Sequence, residues 1–461
     1  MKLSELTAIS PIDGRYGKNL FFLRSMFSEY GLIKNRIFIE IEWFKKLSFY
    51  KRIKEIPKFT KKEVNFLDNI YRFFNLQDAK KIKEIEKKTN HDVKSIEYFI
   101  KEKISKNFRI SLYKEFIHFA CTSEDINNLS YAIILLKTKK FFILPIWKKI
   151  ISVINIFAFF NKNTVILGRT HGEVAIPTTL CKEIINFSYR LLRQYKQLKK
   201  TKILGKINGA IGSFNAHTFA YPKIDWEKFS KKFVEDLGIS WNPYTTQIEP
   251  HDYIAEYLSC IVRFNNILIQ INRDIWRYNA IGYFKKNSNK QEIGSSTMPH
   301  KINPIEFENS EGNLEISNAI MNCIINNATV SRWQRDLKDS TILRNLGVSI
   351  AHSIQSYRIF LHGFKKLRIN QKNITKDIEK NWKILLEPIQ TIMRKNKISD
   401  SYEKIKNIFH ENKIDKNKIR EIIKNIPVTE KEKNRLYSLR PEKYIGISKK
   451  ILKNFFYYFK K

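Results

Sequence analysis

An eleven-residue segment, GSSTMPHKINP at 294–304, concentrates groups that can bind and stabilise an anion. A glycine followed by two serines can present successive backbone N–H groups to an oxyanion. Lys301 adds a positive charge and Asn303 an amide donor. Pro304 stands where a helix can begin, with Glu308 one turn further on. Taken by itself, a Ser-rich basic segment of this kind is more commonly a solvated mobile loop.

Three other polar segments are dense in groups that can bind an anion or move a proton: TNHD at 89–92, CTSEDINN at 121–128 and GRTHG at 168–172. His171 titrates in the range required of a general acid, although an isolated histidine is more often structural. Thr122 and Ser123 stand near a predicted helix start, where hydroxyls and backbone N–H groups face anions. Loops on a helical scaffold are common places for a site.

The elements that must position these segments are mainly helices. After Pro250, apolar residues recur at spacings of three and four as far as Ile275, which places them on one helical face. No Gly or Pro interrupts 251–281, so this helix could extend about 45 Å. Comparable apolar patterns cover 125–160, 178–203, 305–330 and 341–366.

Five long amphipathic helices predict an elongated bundle. Strands alternating with helices are not evident, which disfavours a Rossmann-type sheet. The sequence therefore predicts an all-α fold of three helical domains. They are an N-terminal domain at 1–115, a central long-helix bundle at 116–366 and a small C-terminal domain at 367–461.

The chain of 461 residues has a formal net charge of +39, from 84 Lys and Arg against 45 Asp and Glu. A basic surface could attract nucleic acid through its phosphates. However, the excess is mostly Lys, is spread along the chain and accompanies abundant Ile, Asn, Phe and Tyr. We interpret it as compositional drift, because no nucleic-acid recognition motif accompanies it. We expect no specific nucleic-acid partner.

The four cysteines are far apart and form no CxxC pair, which favours a reducing cytoplasm and argues against disulfides. No cluster of His, Cys and carboxylates has the spacing of a metal site, so no metal is expected. The N-terminus lacks the apolar run of a signal peptide. The most apolar stretch, 150–160, is too short to span a bilayer, so no membrane partner is expected.

The segment at 294–304 resembles the GSSxMPxKxNP signature of the fumarase/aspartase superfamily. RTHG at 169–172 and TSEDINN at 122–128 resemble its companion motifs and occur in the same order. Other segments, which extend the resemblance over nearly the whole chain, are similar to those of bacterial adenylosuccinate lyases: SPIDGRYG at 10–17, TNHDVKSIEYF at 89–99, KINGAIGSFNAH at 206–217, NPYTTQIEPHDY at 242–253 and SRWQRDLKDSTILRNLG at 331–347.

The resemblance implies a cofactor-free β-elimination of fumarate from adenylosuccinate, giving AMP, and from the succinocarboxamide ribotide SAICAR, giving AICAR. Ser295 would be the base, activated by donors of its own loop and by Lys301. Ser296, Lys301 and Asn303 would bind substrate and stabilise the developing dianion. His171, paired with Glu308, would be the general acid.

The resemblance also implies the substrate contacts. His91, between Asn90 and Asp92, would be a second acid or a phosphate contact. Thr122 and Ser123 would bind a substrate carboxylate, and Gln247 would contact the substrate through its amide. The implied phosphate contacts are Arg15, Tyr16, Arg335, Ser340 and Arg344. The last three are five and four residues apart, so we expect them on or beside one helical face. The family further implies a homotetramer whose four sites each draw on three subunits.

The chain departs from the family pattern after RTHG, where THGEVA replaces the common THGQPA. Glu173 could raise the pKa of His171 or disturb substrate binding, and Val174 loosens the turn. Two alternatives remain open. One is another lyase of the superfamily, against which Arg15, Tyr16 and the 331–347 segment speak. The other is a catalytically silent structural or nucleic-acid-binding protein, against which the complete set of candidate groups speaks.

Overall fold

The computed structural model describes residues 2–286, 296–298, 300–411 and 414–460. Within them the chain is mainly helical, which confirms the predicted all-α class. The α-helices before the first strand are α1 (Gly17–Phe27), α2 (Glu29–Ser48), α3 (Lys61–Arg72), α4 (Leu76–Thr89), α5 (Asp92–Ile104), α6 (Phe108–Ser111), α7 (Ser123–Thr138) and α8 (Leu144–Phe160).

The later α-helices of the described residues are α9 (Leu180–Lys200), α10 (Asn215–Ala220), α11 (Trp226–Asp236), α12 (Asp252–Ala280), α13 (Ile305–Ala328), α14 (Lys338–Leu343), α15 (Leu346–Lys366), α16 (Gln371–Lys380), α17 (Leu386–Lys395), α18 (Ser401–Glu411), α19 (Lys416–Asn425), α20 (Glu430–Ser438) and α21 (Ser448–Lys460). Short 3₁₀ turns lie at Lys114–Phe116, Trp382–Leu385 and Pro441–Lys443.

Short strands form three two-stranded sheets: β1 (Val165–Thr170) with β2 (Glu173–Thr179), β3 (Leu204–Gly205) with β4 (Ser240–Trp241), and β5 (Phe284–Lys286) with β6 (Leu367–Ile369). The first and third pairs are antiparallel and the second is parallel. The GRTHG segment, predicted only as a polar break between helices, is therefore the turn of a β-hairpin. Its strands were missed because they contain Gly168 and Pro177 and their polar and apolar residues do not alternate.

The predicted long helices are present. The pattern at 125–160 corresponds to α7 and α8, which a π-helical turn at Lys139–Ile143 joins without a break. The pattern after Pro250 corresponds to α12, of 29 residues. Patterns at 178–203 and 305–330 correspond to α9 and α13. The pattern at 341–366 begins late, at Leu346, because the separate short helix α14 ends at Leu343.

Residue contacts divide the chain into two compact units. The first comprises Met1–Trp147, Gln194–Asn266 and Ser310–Arg358, and the second comprises Lys148–Arg193, Ile267–Asn309 and Ile359–Lys461. The boundaries between the units fall inside or beside the long helices. The predicted division into domains at 1–115, 116–366 and 367–461 stays a prediction.

The core of the first unit combines aromatic stacking with a layer of small polar side chains. Trp147 stacks on Phe264 with ring centroids 3.8 Å apart, and both rings meet Tyr357 edge-on. The Tyr357 hydroxyl donates to Asn265 Oδ1 at 2.5 Å. Buried serines, including Ser317, hydrogen-bond between neighbouring helices. Small side chains let helix backbones approach closely, and the buried Ser317 hydroxyl gains partners on the neighbouring helix.

In the second unit, phenylalanines from helices pack around the β5–β6 pair. Phe157 of α8 packs edge-on against Phe284 of β5 and Phe364 of α15. Phe159, on the same helix, packs against Phe456 of α21. The apolar period of α8 therefore anchors both a strand pair and the C-terminal helix.

The continuous helical stretch Ser123–Phe160 is, by length and composition, able to cross a membrane. Its most apolar window has a mean hydropathy of 1.7, so the expectation that the apolar stretch is too short does not hold. Within that window, 39% of the residues are buried inside the chain. Core helices of helical bundles meet the same criterion of length and composition.

Candidate active site

Thr122 and Ser123 lie at the start of α7, as the sequence predicts. The backbone N–H of Thr122 donates to Asp125 Oδ2 at 2.8 Å. This is the capping-box bond in which the third residue of a helix accepts from the backbone of the residue before the helix. Because α7 begins at Ser123, most of CTSEDINN is helical and only its first two residues form the predicted break. Both hydroxyl-bearing residues are half-buried at a helix N-terminus, where the unpaired N–H groups favour an anion.

Asp125 fixes this helix start to the KINGAIGSFNAH segment. Its carboxylate lies 2.9 Å from Lys206 Nζ, and both side chains are fully buried. It also accepts from the backbone N–H groups of Asn208 and Gly209, each at 3.0 Å. A buried ion pair needs such additional hydrogen bonds to offset its desolvation. The carboxylate thus joins α7 to the turn at 208–209.

The same segment reaches the predicted substrate amide, Gln247. Gln247 Nε2 donates to the Ala210 carbonyl at 3.1 Å, and Asn208 Nδ2 donates to Thr245 Oγ1 at 2.7 Å. Gly212 has φ +83°, and a Cβ there would lie 2.3 Å from the Thr245 carbonyl oxygen. Only glycine therefore permits this close approach. The segment connects the helix start at Thr122 with Gln247.

The TNHD segment is a tight junction between two helices. Asn90 ends α4 in the left-handed conformation, with φ 51°. His91 caps α5, its Nδ1 accepting from the Lys94 backbone N–H at 3.1 Å. An accepting Nδ1 places the proton of the neutral imidazole on Nε2. The His91 ring is half-exposed, so Nε2–H can donate to a ligand.

Asp92, the first residue of α5, is held between two arginines. Its Oδ2 lies 2.8 Å from Arg36 Nη2 and 3.6 Å from Arg344 Nη2. Burial raises the pKa of the Asp92 carboxyl, but Arg36 and Arg344 outweigh it and leave the pKa below its usual value. Asp92 is therefore an ionised anchor for Arg344, which also pairs with Glu29 at 2.6 Å.

Arg335 lies in a second cluster of charges. Its Nη2 lies 3.0 Å from Glu124 Oε1 and 3.7 Å from Asp339 Oδ1, and its Nη1 donates to Gln247 Oε1 at 3.4 Å. Asp339 also accepts from the Ser340 backbone N–H at 2.6 Å. Burial raises the pKa of Asp339, but His251 and Arg335 leave it below its usual value.

Three of the predicted phosphate contacts do not share one helix. Arg335 precedes α14, Ser340 lies within it and Arg344 follows it. The expectation of one helical face was wrong for Arg335, because a turn interrupts the helical period at 331–337. Tyr16 caps α1 and its hydroxyl accepts from Asn313 Nδ2 at 3.5 Å. Arg15 is exposed and makes no ion pair within the described part of the chain.

In the second unit, His171 is at the tip of the β1–β2 hairpin. Thr170 pairs with Glu173, and the two turn residues have positive φ, 55° at His171 and 89° at Gly172. Two successive residues with positive φ form the two-residue hairpin turn whose twist matches that of the strands. Gly172 adopts a positive φ without strain because it has no Cβ. The His171 side chain is exposed. The hairpin therefore presents the imidazole at a protruding position.

Arg169, two residues before, has a structural partner. Its Nη2 lies 3.1 Å from Asp377 Oδ2, which also accepts from the Tyr283 hydroxyl at 2.5 Å. Burial and Asp377 raise the pKa of Tyr283 well above its usual value. This cluster ties the end of β1 nearest the turn to α16.

The signature segment is described only in part. Gly294 and the predicted base Ser295 lie outside the described residues. Ser296 and Lys301 are exposed and Asn303 is half-buried. Helix α13 begins at Ile305, directly after Pro304, as the sequence predicts.

Glu308 is exposed and accepts from Trp276 Nε1 at 2.9 Å. No ion pair joins Glu308 to His171 within the residues that the structure describes. The predicted pairing of these two side chains stays a prediction. Glu173 and Val174 belong to β2, where Glu173 is exposed opposite Thr170. Their effect on His171 also stays a prediction.

A cavity of about 1080 Å³ lies in the second unit beside this hairpin. Its walls include Arg169 and Thr178 from the two strands, Asp274 and Arg277 from α12, and Tyr444. Asp274 and Arg277 pair with each other at 3.3 Å. None of the predicted site residues lines the cavity, so we assign it no part in the candidate active site.

Each unit collects part of the predicted set. The first contains the predicted binding residues: Arg15, Tyr16, Asn90, His91, Asp92, Thr122, Ser123, Gln247, Arg335, Ser340 and Arg344. The second contains the described members of the predicted chemical set: His171, Ser296, Lys301, Asn303 and Glu308.

Sequence analysis missed the residues that hold the binding set in place. Asp125 and Lys206 lie inside recognised motifs, so the sequence offered a reason to consider them as candidate residues. Arg36 lies in no motif, and its only signal is a basic residue among the isoleucines of α2. His251 and Asp339 carry titratable groups inside motifs but were not singled out.

Comparisons with known proteins agree with this arrangement of motifs. A family model described as Lyase matches residues 14–317, and one described as Adenylosuccinate lyase C-terminal matches residues 331–445. An adenylosuccinate lyase of Buchnera aphidicola (subspecies Schizaphis graminum) is 52% identical, with 98% of this chain and 99% of the relative covered. The chain belongs to the adenylosuccinate lyase family.

The adenylosuccinate lyase of Escherichia coli K12 is 50% identical, with 97% of this chain and 98% of that protein covered. Among solved structures, the 3-carboxy-cis,cis-muconate lactonizing enzyme of Pseudomonas putida superposes with a TM-score of 0.74 at 14% identity. That match covers 94% of this chain and 96% of the other. At such low identity it is evidence for the fold alone. Family membership therefore confirms the resemblance to the fumarase/aspartase superfamily.

Proposed function

We propose that this chain eliminates fumarate from adenylosuccinate, giving AMP, and from SAICAR, giving AICAR. The observation that carries the proposal is identity of about half of the residues, over nearly the whole chain, with proteins named adenylosuccinate lyase. The C-terminal family match at 331–445 includes Arg335, Ser340 and Arg344, which we assign to the nucleotide phosphate. Both substrates carry a succinyl-amino group and a ribose phosphate, so one set of contacts serves both.

The chemistry requires a base, donors for a carboxylate and an acid. Ser295 removes a proton from the carbon beside a succinyl carboxylate, giving a carbanion delocalised as an aci-carboxylate. Ser296, Lys301 and Asn303 donate to that carboxylate as its charge grows. The C–N bond then breaks, its electron pair leaves with the nitrogen, and His171 protonates the nitrogen. The reaction needs no cofactor or metal.

The binding side of this proposal draws on the first unit. Thr122 and Ser123 offer hydroxyls and a helix N-terminus to a carboxylate of the substrate. Gln247, His91 and Asn90 supply further polar contacts. The partners of Arg335 and Arg344 occupy only part of each guanidinium, which has five N–H donors. Arg335 Nε is buried, so a phosphate binds to the terminal nitrogens of the two arginines, with Arg15 and Tyr16 completing its contacts.

We further propose a homotetramer in the cytoplasm, with each active site formed by more than one copy of the chain. Two observations support a shared site. His171 projects from a hairpin tip, and Glu308 makes its described hydrogen bond to Trp276 rather than to His171. An imidazole so presented is well placed to enter a site on another copy, where a carboxylate could hold it charged.

Parallel assays of the purified chain test the proposed substrate. Adenylosuccinate, SAICAR and argininosuccinate are added separately, and the ultraviolet absorbance change is followed. We expect turnover of the first two and no release of fumarate from the third. Turnover of argininosuccinate alone would assign the chain to another lyase. If adenylosuccinate is unchanged while RNA is retained at physiological salt, the chain is a nucleic-acid-binding protein and the proposal is wrong.

A further inference from the structure

Arg36 is a buried cation that contacts two of the sequence motifs at once. It lies in α2, and only 2% of its side chain is exposed. Its Nε donates to Asn127 Oδ1 at 2.8 Å, and its Nη2 lies 2.8 Å from Asp92 Oδ2. Asn127 belongs to TSEDINN and Asp92 to TNHD. One guanidinium therefore joins α2, α5 and α7.

From Arg36 two branches lead to the two arginines at either end of α14. In the first branch, Asp92 lies 3.6 Å from Arg344. In the second, Asn127 Nδ2 donates to Glu124 Oε1 at 2.6 Å, and that same oxygen lies 3.0 Å from Arg335. We call these six residues the arginine relay: Arg344, Asp92, Arg36, Asn127, Glu124 and Arg335.

The relay restricts side chains that would otherwise be mobile. Arginine loses much rotamer freedom when a ligand fixes it, and that loss weakens binding unless the side chain is already held. Before any ligand arrives, Asp92 holds Arg344 together with Glu29. Glu124 holds Arg335 together with Asp339 and Gln247. Arg36 in turn fixes Asp92 and Glu124, one through an ion pair and the other through Asn127.

Net stabilisation of the fold is a weak explanation for this arrangement. Nη1 of Arg36 is buried and has no hydrogen-bond partner within the described residues. A buried, incompletely hydrogen-bonded ion pair contributes little net stability, because desolvation opposes the attraction. The geometry instead fits a fixed orientation, since a planar guanidinium sets the direction of both of its contacts.

We propose that Arg36 is a positioning residue that orients Arg335 and Arg344 together for a phosphate group. The inference rests on the proposed function for the identity of that ligand, the 5′-phosphate of the nucleotide. Arg36 does not touch the phosphate. It acts through Asp92 on one side and through Asn127 and Glu124 on the other.

The end of α7 that we assign to the substrate carboxylate has its own support. Asp125, Lys206 and the backbone of 208–209 hold Thr122 through contacts that Arg36 does not make, and Arg36 reaches the same helix one turn later, at Asn127. Loss of Arg36 should therefore weaken phosphate binding selectively. A general loosening of the fold would weaken phosphate and carboxylate binding alike.

Product inhibition separates the two possibilities, because AMP carries the phosphate and fumarate does not. The inhibition constants of AMP and fumarate are measured for wild type, Arg36→Met, Arg36→Lys and Asn127→Leu, together with the thermal midpoint of each. Lys139→Met is the matched control. It removes another buried cation of the first unit, which donates to the Thr201 carbonyl at 2.5 Å and lies outside the relay.

We expect Arg36→Met to raise the AMP inhibition constant on the order of 10- to 100-fold, and that of fumarate less than about 3-fold. Arg36→Lys keeps the charge but cannot contact Asp92 and Asn127 at once with a planar group. Its increase in the AMP inhibition constant should therefore be intermediate. Asn127→Leu breaks only the Arg335 branch and should raise the AMP constant by about 3- to 10-fold. Lys139→Met should change neither constant.

Unchanged AMP inhibition in Arg36→Lys and Asn127→Leu would overturn the inference, even if Arg36→Met failed to fold. Equal weakening of AMP and fumarate, together with a lowered thermal midpoint, would also overturn it by assigning Arg36 to the fold. A wild-type chain that neither cleaves adenylosuccinate nor binds AMP would instead refute the proposed function. The two failures are therefore distinguishable.

Discussion

The two units hold their candidate functional side chains in opposite ways. In the first unit, Asp92, Arg335 and Gln247 each contact other charged or polar groups of the same unit. In the second unit, His171, Lys301 and Glu308 are exposed on the single chain. Asp92, Arg335 and Gln247 are thus fixed internally, whereas His171 and Glu308, the described members of the proton-transfer set, are exposed.

This difference follows from what each task requires. A phosphate or a carboxylate binds best to donors whose directions are already set, because little entropy is then lost on binding. A general acid must approach the bond that breaks, and the structure presents it on a hairpin tip. We infer that binding is set within one chain, while the chemistry depends on groups that other copies or the substrate complete.

The largest expected effect tests the candidate proton-transfer groups. His171→Ala removes the proposed acid, and Ser295→Ala the proposed base. Each should lower kcat for adenylosuccinate by about 10²- to 10⁴-fold without unfolding the chain. Steady-state absorbance assays measure the effect. The exposed His362 of the second unit provides the control, and His362→Ala should retain wild-type kcat. Near-normal kcat in His171→Ala would remove this residue from the mechanism.

A second prediction concerns the internal support of the first unit. Lys206→Met leaves the fully buried Asp125 carboxylate without its cation, so the free energy of unfolding should fall by about 3–5 kcal/mol. Urea unfolding followed by circular dichroism measures it. Asp125→Asn combined with Lys206→Met removes both charges and should recover part of the loss. No recovery in the double variant would show that the ion pair itself is not what Lys206 contributes.

How much of this could be predicted from the sequence depends on the range of the interactions. Spacings of three and four located the long helices, and Pro304 located the start of α13. The GRTHG hairpin was missed because polar and apolar residues do not alternate along its two strands. The helix start near Thr122 and Ser123 was predicted, but the burial of the polar side chains of TSEDINN was not, because it depends on contacts with other segments of the chain.

The site shows the same limit. Motifs indicated Asp92, Arg335 and Arg344, but not that a single buried Arg36 joins them, since these residues are far apart in the sequence. The arrangement of Asp125 beside Lys206 likewise depends on a contact between distant segments. Residue types and spacing identified the chemical groups, whereas the contacts that orient them required the fold.

A third prediction uses the pH dependence of the first unit. His217 is buried among Trp43, Phe214 and Trp226, and burial lowers its pKa to about 4. Below the unfolded-state pKa of 6.5, the unfolded chain binds the additional proton. Stability should therefore fall as the pH decreases from 6.5 towards 4, by up to about 3 kcal/mol from this residue.

His217→Phe should remove that part of the acid sensitivity, because phenylalanine does not titrate. Urea unfolding of both proteins at pH 7 and at pH 4.5 measures the difference. If the difference in unfolding free energy between the variant and wild type is the same at both values, the imidazole does not titrate as its burial requires.

The smallest expected effect concerns Glu173, beside the exposed histidine. Glu173→Gln restores the neutral amide of the family pattern. Because the side chain is exposed, solvent screens its charge, and kcat should change by less than about 5-fold. A pH profile of kcat measures the change. We expect any shift of the profile to affect only the limb that reports protonation of the general acid. A change as large as that of His171→Ala would place Glu173 in the site.

Subunit complementation tests the contrast between the two units most directly. Ser295→Ala and His171→Ala proteins are each inactive in our account, and are mixed under conditions that allow subunits to exchange. If the base and the acid of one site come from different copies, some mixed sites carry neither substitution. We predict adenylosuccinate turnover well above the sum of the two separate variants. Exchange without any recovery of turnover would contradict the account.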